Sequence, residues 1–159
     1  EKVLFGEDGV AAGLKGSIPL YGPGFLTDGN LAAMGGAGEG LLTTLHYADG
    51  LTNAKDAAFR TKYAAAYKMQ PDVYAVQGYD AAQMYEAGLK AAGGDPAKQE
   101  ELIKGMASAT IDSPRGPFTL SKAHNPVQDI YMREVKGNEN VVVEVVSKAL
   151  ADPARGCKL

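Results

Sequence analysis

The sequence predicts an α/β fold, a parallel sheet with flanking helices and a C-terminal β-hairpin, on three observations. Short runs of β-branched and apolar residues alternate with long helical patterns, an order typical of layered α/β proteins. The helical patterns carry recognisable ends, Asn53 ahead of one and Gly93-Gly94 behind another. Beyond Ile111, Pro114, Gly116, Pro117 and Pro126 exclude a long helix, and two strand-like runs follow.

Taken in order, residues 9–15 read as the last turn of a helix, and Ser17 to Tyr21 as a strand entering a tight loop at Gly22-Pro23-Gly24. A small-residue segment from Asn30 to Met34 and a glycine cluster lead into a second strand, Leu41 to Tyr47. Asn53 caps a helix that Pro71 closes just after Lys68. Its Phe59, Tyr63 and Tyr67 recur at i, i+4 and i+8, one stripe expected to pack in the core. Residues 73–92 form the longest helical pattern, with Ala75, Tyr79, Ala82, Tyr85, Leu89 and Ala92 on its apolar stripe. Asp95-Pro96 supplies an N-cap with proline at the first helical position, starting a third helix through Leu102, Ile103 and Met106. The closing strands, Val127 to Val135 and Val141 to Val146, are expected to form a hairpin joined by the five residues 136–140.

A length of 159 residues allows one ordinary domain or two small lobes of a longer parent. A net charge of -3 and an isoelectric point near 5.4 argue against an electrostatic grip on nucleic acid. The single cysteine, Cys157, cannot form an internal disulfide, and His46 and His124 are too few for a Cys/His zinc site, so no cofactor or metal is expected. No run of eighteen apolar residues is present, and an export signal is expected to have been removed ahead of Glu1. Glycine supplies 20 residues, above the average of about 7%. The cluster Gly35-Gly36-Ala37-Gly38-Glu39-Gly40 precedes a strand, whereas a phosphate-cradling loop leaves a strand and enters a helix, so it reads as a structural turn.

Catalytic motifs are absent: there is no H-E-x-x-H, no G-x-S-x-G and no cysteine near a histidine in sequence, and an enzyme is not expected. Asp112 beside Arg115 reads as a loop ion pair. In an α/β order, ligands bind beyond the carboxyl ends of strands. Aromatic residues gather there, at Tyr21, Phe25 and Tyr47, with Tyr74 ahead of the long helix, and they suit a ring-bearing or apolar small molecule.

Four ordered segments carry a family likeness: G-L-K-G-S-I-P-L-Y-G-P-G-F-L-T-D (13–28), G-E-G-L-L-T-T-L-H-Y-A-D (38–49), K-M-Q-P-D-V-Y-A-V-Q-G-Y-D-A-A (68–82) and S-P-R-G-P-F-T-L-S-K-A-H-N-P-V-Q-D-I-Y (113–131). Together they resemble the C-terminal part of a type I periplasmic solute-binding protein of the branched-chain amino acid ABC-transporter family, and in particular members that bind aromatic acids. The resemblance implies two Rossmann-like lobes with three crossovers, closing on a ligand like a hinge. Residues 1–47 would belong to the second lobe, 48–128 to the first and 129–159 again to the second, with the N-terminal half of the parent absent. The loop Tyr21, Gly22, Pro23, Gly24, Phe25, Leu26 would contact ligand, as would Tyr74. Amino-acid binders carry an acidic residue in that loop for the ligand ammonium, and here Gly24 or Phe25 takes its place, which points away from an amino acid.

The function so implied is an extracytoplasmic, periplasmic receptor that captures a small aromatic or apolar carboxylate and delivers it to an ABC-transporter permease. The alternatives are a ligand-sensing regulatory domain of the same fold, or a binder of branched-chain amino acids. The further partner implied is the missing N-terminal portion or a second copy of the chain, pairing the sheet edge near Ile18 to Tyr21.

Overall fold

A computed structural model of the chain describes residues 8–156. The chain divides into two compact units, one from Glu1–Leu51 and Asp129–Lys148, the other from Thr52–Gln128 and Ala149–Leu159. It therefore passes between units three times. The segment from Ala149 groups with the second unit, not with the return segment as the sequence suggested. There Asn125 Nδ2 donates to Asp152 Oδ2 at 2.5 Å.

In the first unit, a helical turn at residues 8–11 is followed by β1 (Tyr21–Pro23), a single 3-10 turn (Gly24–Leu26), α1 (Leu31–Met34), a second 3-10 turn (Gly35–Gly38) and β2 (Leu42–Leu45). The long strands of the hairpin, β4 (Pro126–Lys136) and β5 (Glu139–Leu150), complete the sheet; β3 (Thr119–Leu120) lies in the second unit. β1 runs parallel to β2, with Tyr21 opposite Leu42 and Pro23 opposite Thr44. β2 runs antiparallel to β4, with Leu42 opposite Glu134 and Leu45 opposite Tyr131. The sheet is thus mixed, parallel at its first pair and antiparallel through the hairpin.

Two local expectations change. The first strand begins at Tyr21, where the predicted one ended, because ladder pairing starts only when Leu42 N–H donates to Leu20 O at 3.1 Å. Gly22 and Pro23, expected in the loop, lie in this strand; Pro23 fits because β1 pairs with β2 alone among the described strands, leaving an edge that demands no N–H. The hairpin loop is two residues, not five: Gly137 takes φ +61° at the first central position, where two-residue hairpins favour glycine, and the strands zip to its edges.

Residues opposite one another across a ladder share a face. One face carries Leu41, Thr43, Arg133 and Val135, all buried. Leu31 and Met34 of α1 pack with Leu41 and Val135 as the core of this unit, with Leu20 and Leu26 against them. The other face carries Tyr21, Pro23, Leu42, Thr44 and Met132, and Tyr21, Pro23 and Thr44 are exposed.

The second unit is built on α2 (Ala54–Tyr67), α3 (Val73–Ala91) and α4 (Gln99–Ala107), with β3 (Thr119–Leu120) pairing the start of β4. The Asn53 side chain accepts from Asp56 N–H at 2.8 Å, making the predicted N-cap, and Lys68 ends α2 at φ +60°. Asp72 caps α3 through Ala75 N–H at 3.0 Å. Gly93 and Gly94 end it at φ +66° and +84°, a left-handed pair that other residues adopt at a cost.

Three expectations fail here. Asp95 does not cap a helix: its carboxylate accepts from Ala97 N–H at 2.9 Å in a local turn, and α4 starts at Gln99. The buried positions of α3 are Val73, Val76, Asp80 and Gly88, while Tyr79, Ala82 and Tyr85 of the predicted stripe are exposed. At the α4 contact the covered residue is Gly88, which has Leu102 and Met106 where a Cβ would stand. The Phe59, Tyr63, Tyr67 stripe forms a ladder of rings, with centroids 5.8 and 4.5 Å apart, but it is only half buried and Tyr67 is exposed. Phe59 also meets Tyr79 of α3 at 5.2 Å.

The α3–α4 contact sets up a paired test. A Cβ at Gly105 would lie 2.6 Å from Ala91 Cβ and 3.0 Å from the Ala87 carbonyl, so the helices must separate. Gly105→Ala is expected to destabilise by about 1–3 kcal/mol through overpacking, even after the gain in helix propensity of about 1 kcal/mol. Gly78, also helical, has nothing within 4 Å of the place a Cβ would occupy. Gly78→Ala should stabilise by about 0.5–1 kcal/mol. Urea unfolding of both variants reads the opposite signs.

Candidate ligand-binding site

Parallel β1 and β2 point their carboxyl ends at the turn Gly24–Leu26, and the chain folds back there because backbone and side chains converge on one carbonyl. Gly24 O accepts from Thr27 N–H at 3.1 Å and Asp28 N–H at 3.2 Å. A third donor comes from β4: Arg133 Nη2 reaches the same oxygen at 3.1 Å. Arg133 is fully buried, at 0% exposure, and no motif in the sequence singles it out.

Its guanidinium uses both ends of the fork. Nε donates to Thr43 Oγ1 at 3.2 Å, Nη1 to the Tyr47 carbonyl at 2.9 Å, and Nη2 to Asp28 Oδ2 at 2.8 Å. The network continues outward: Thr27 Oγ1 donates to Asn140 Oδ1 at 2.6 Å, and the Asn140 amide and side chain both donate to Asp49 Oδ2. Loop, β2, β4 and β5 of the first unit are thereby tied through one buried cation. The signal in the sequence is faint: an arginine at an inward position of a strand-like run, where a charge needs a partner.

Six of the predicted contact residues sit at this turn. Tyr21 and Phe25 are 64% and 55% exposed, and Pro23 is exposed beside them. Gly24 is buried, with its ideal Cβ position 2.6 Å from Leu45 Cβ, so no larger residue fits there. Gly22 lies under the Leu26 side chain, whose Cδ2 is 2.6 Å from where a Cβ would stand, and Leu26 itself leans on the apolar core. Tyr74, the seventh, stands in the second unit in the first turn of α3, 51% exposed. Tyr47 is different: it is completely buried and contributes its carbonyl to Arg133, so it belongs to the scaffold.

An open cleft of about 380 Å³ lies on the exposed sheet face, lined by Tyr21, Gly22, Pro23, Leu42, Thr44 and Met132. A larger one, about 680 Å³, is lined by Leu14, Ile18, Leu20, Ala37 and Leu41 among others and touches none of the predicted residues. Size alone would favour the second. The first is the better candidate because it adjoins the strand ends and their ordered turn, where backbone groups and aromatic rings converge.

The second unit holds its own buried ion pair. Arg115 Nε donates to Asp80 Oδ2 at 3.0 Å, Ser113 Oγ to the same oxygen at 2.9 Å, and the guanidinium stacks 4.2 Å over the Phe118 ring. The expected Asp112–Arg115 pair does not form. Asp112 faces Lys55 at 2.6 Å instead, because α3 brings Asp80 beneath the loop and turns Asp112 outward. Burial pushes the Asp80 carboxyl above the usual range, with Ser113 and Arg115 pulling the other way, and burial lowers Arg115. Among the described residues no cluster of three or more His, Cys, Asp or Glu could hold a metal ion, and no helix is long and apolar enough to cross a membrane.

A mixed sheet with flanking helices, divided between two compact units, gives the chain an α/β architecture. Residues 3–140 match the periplasmic binding protein family, and the chain belongs to that family. It is 55% identical to an ABC-transporter solute-binding protein from R. palustris solved in complex with benzoate, with a TM-score of 0.92, covering 99% of this chain and 43% of that one. A second such protein, from Rhodopseudomonas palustris BisB5 in complex with 3,4-dihydroxy benzoic acid, is 31% identical with a TM-score of 0.83, covering 96% and 44%. The Leu/Ile/Val-binding protein homolog 6 of Brucella abortus is 35% identical over 130 residues, 77% of this chain and 33% of its own length. The chain thus spans a third to under a half of these relatives. The family comprises solute-binding proteins of transporters, not enzymes, and implies an extracytoplasmic location.

Proposed function

We propose that this chain is the C-terminal part of a periplasmic solute receptor that captures a small aromatic or apolar carboxylate by hinge closure and delivers it to an ABC-transporter permease. The observation that carries this reading is the strand-end turn. It offers Tyr21 and Phe25 as exposed rings and has no acidic side chain between them, while Gly24 has no room for one. A ligand ammonium would find no counter-charge within Tyr21 to Leu26, whereas a ring finds flat apolar surface. The benzoate and dihydroxybenzoate ligands of the two related receptors support the same class. The name of the Brucella relative favours a second reading, a branched-chain amino acid as ligand.

Calorimetry on the protein extended to the length of its relatives separates the two. Benzoate or 4-hydroxybenzoate is expected to bind more tightly than leucine, isoleucine or valine, and the reverse order would overturn the proposal.

The reading carries a statement about assembly. The proposed ligand contacts would lack an opposing wall, and one face of the first unit's sheet is open. The 159-residue chain is therefore expected to be ordered only with a companion, the remaining portion of the receptor or a second copy. Light scattering with denaturing electrophoresis tests this: a cooperative, monodisperse 16.6 kDa monomer would refute it.

A further inference from the structure

We infer that Arg133 is the positioning residue of the ligand loop: its buried guanidinium holds the turn Gly24–Asp28 from beneath, so that Phe25 and Tyr21 are presented in a fixed arrangement before any ligand arrives. The inference rests on the reading of that turn as the ligand contact and assigns the residue that shapes it.

The turn cannot hold itself. It is three residues of 3-10 helix, Gly24–Leu26, with no side-chain cap at Pro23, and so short a helix contributes little stability of its own. What it has is Gly24 O, on which the two amides of Thr27 and Asp28 converge and to which Arg133 Nη2 adds a third donor at 3.1 Å. The same Nη2 holds Asp28 at 2.8 Å, at the far end of the turn. Both ends of the loop are therefore bonded to a single planar group. That group is in turn fixed to the sheet by Thr43 on β2 and to the strand end by the Tyr47 carbonyl.

The exposure pattern follows from this. Gly24, Thr27 and Asp28 are buried on the arginine side, while Tyr21, Pro23 and Phe25 are exposed on the other. An ammonium could not substitute, because a lysine offers three donors on a compact head, whereas the guanidinium fork reaches acceptors in two separate segments, 24–28 and 43–47. Preorganisation of this kind raises affinity by removing the cost of ordering the loop on binding.

The test uses Arg133→Lys in the protein extended to the length of its relatives, with benzoate as probe, and Thr43→Val as second variant. Thr43→Val deletes one anchor of the guanidinium but keeps its pairing with Asp28. Arg133→Lys is expected to lower benzoate affinity at least tenfold. In the ligand-free protein it should speed hydrogen exchange of the Thr27 and Asp28 amides at least tenfold, while amides of the β2–β4 ladder keep their protection. Thr43→Val should move the same two readouts in the same direction by a smaller factor, and it decides the matter if Arg133→Lys does not fold. Unchanged exchange at Thr27 and Asp28, or a uniform loss of protection across the whole unit, would overturn the inference. Failure of the wild-type protein to bind benzoate would instead count against the proposed ligand class, since the exchange measurement needs no ligand.

Discussion

Replacing Arg133 by methionine is expected to destabilise the first unit by about 3–5 kcal/mol, the range seen when one partner of a buried ion pair is removed. The variant leaves the Asp28 carboxylate without the donor now at 2.8 Å, and the Gly24 and Tyr47 carbonyls each lose one hydrogen bond. Methionine fills much of the volume, so the loss reads the broken ion pair and its hydrogen bonds and not a cavity. Denaturant unfolding measures it. Adding Asp28→Leu to Arg133→Met should recover part of the loss, because an apolar pair can replace a buried ionic one. A loss below about 1 kcal/mol for Arg133→Met would mean that water reaches the site and that the pair is not sealed.

Phe25→Glu is expected to abolish the proposed preference for aromatic carboxylates without disturbing the fold. Phe25 is more than half exposed, so exchange there should change stability by no more than about 0.5 kcal/mol. At the proposed contact it removes a ring and sets a carboxylate against the ligand's own, a like-charge approach worth several kcal/mol. Benzoate affinity should fall at least hundredfold, about 2.8 kcal/mol. The same acid at Gly24 would behave differently: the site has no room beside Leu45, so Gly24→Glu should lose stability first. Calorimetry with a parallel melting curve separates binding from folding. Unchanged benzoate affinity in Phe25→Glu would remove this loop from the proposed site.

The Asn53 cap and the Gly93-Gly94 helix end were legible in the sequence because their signals are local. Asn53 accepts from the third residue beyond it, and Gly93-Gly94 take left-handed angles whatever packs nearby. The succession of elements followed from the same short-range rules, as did the strand Leu42–Leu45 inside its predicted run. The family likeness was readable too, being carried by ordered segments and not by contacts.

The tertiary structure alone decided which face of a helix is buried and which charges meet. The tyrosines of α3 make the most apolar stripe by composition, yet the buried positions are Val73, Val76, Asp80 and Gly88, with Gly88 at the close contact with α4. Asp112 and Arg115 are neighbours in sequence but part company, since Asp80 arrives from α3 to take the arginine. Arg133 lies more than a hundred positions from the Gly24 loop that it holds. Sequence spacing reports on interactions within a turn or two of chain; burial of an ionic group is settled by long-range partners, because desolvation is tolerated only where acceptors from separate segments converge.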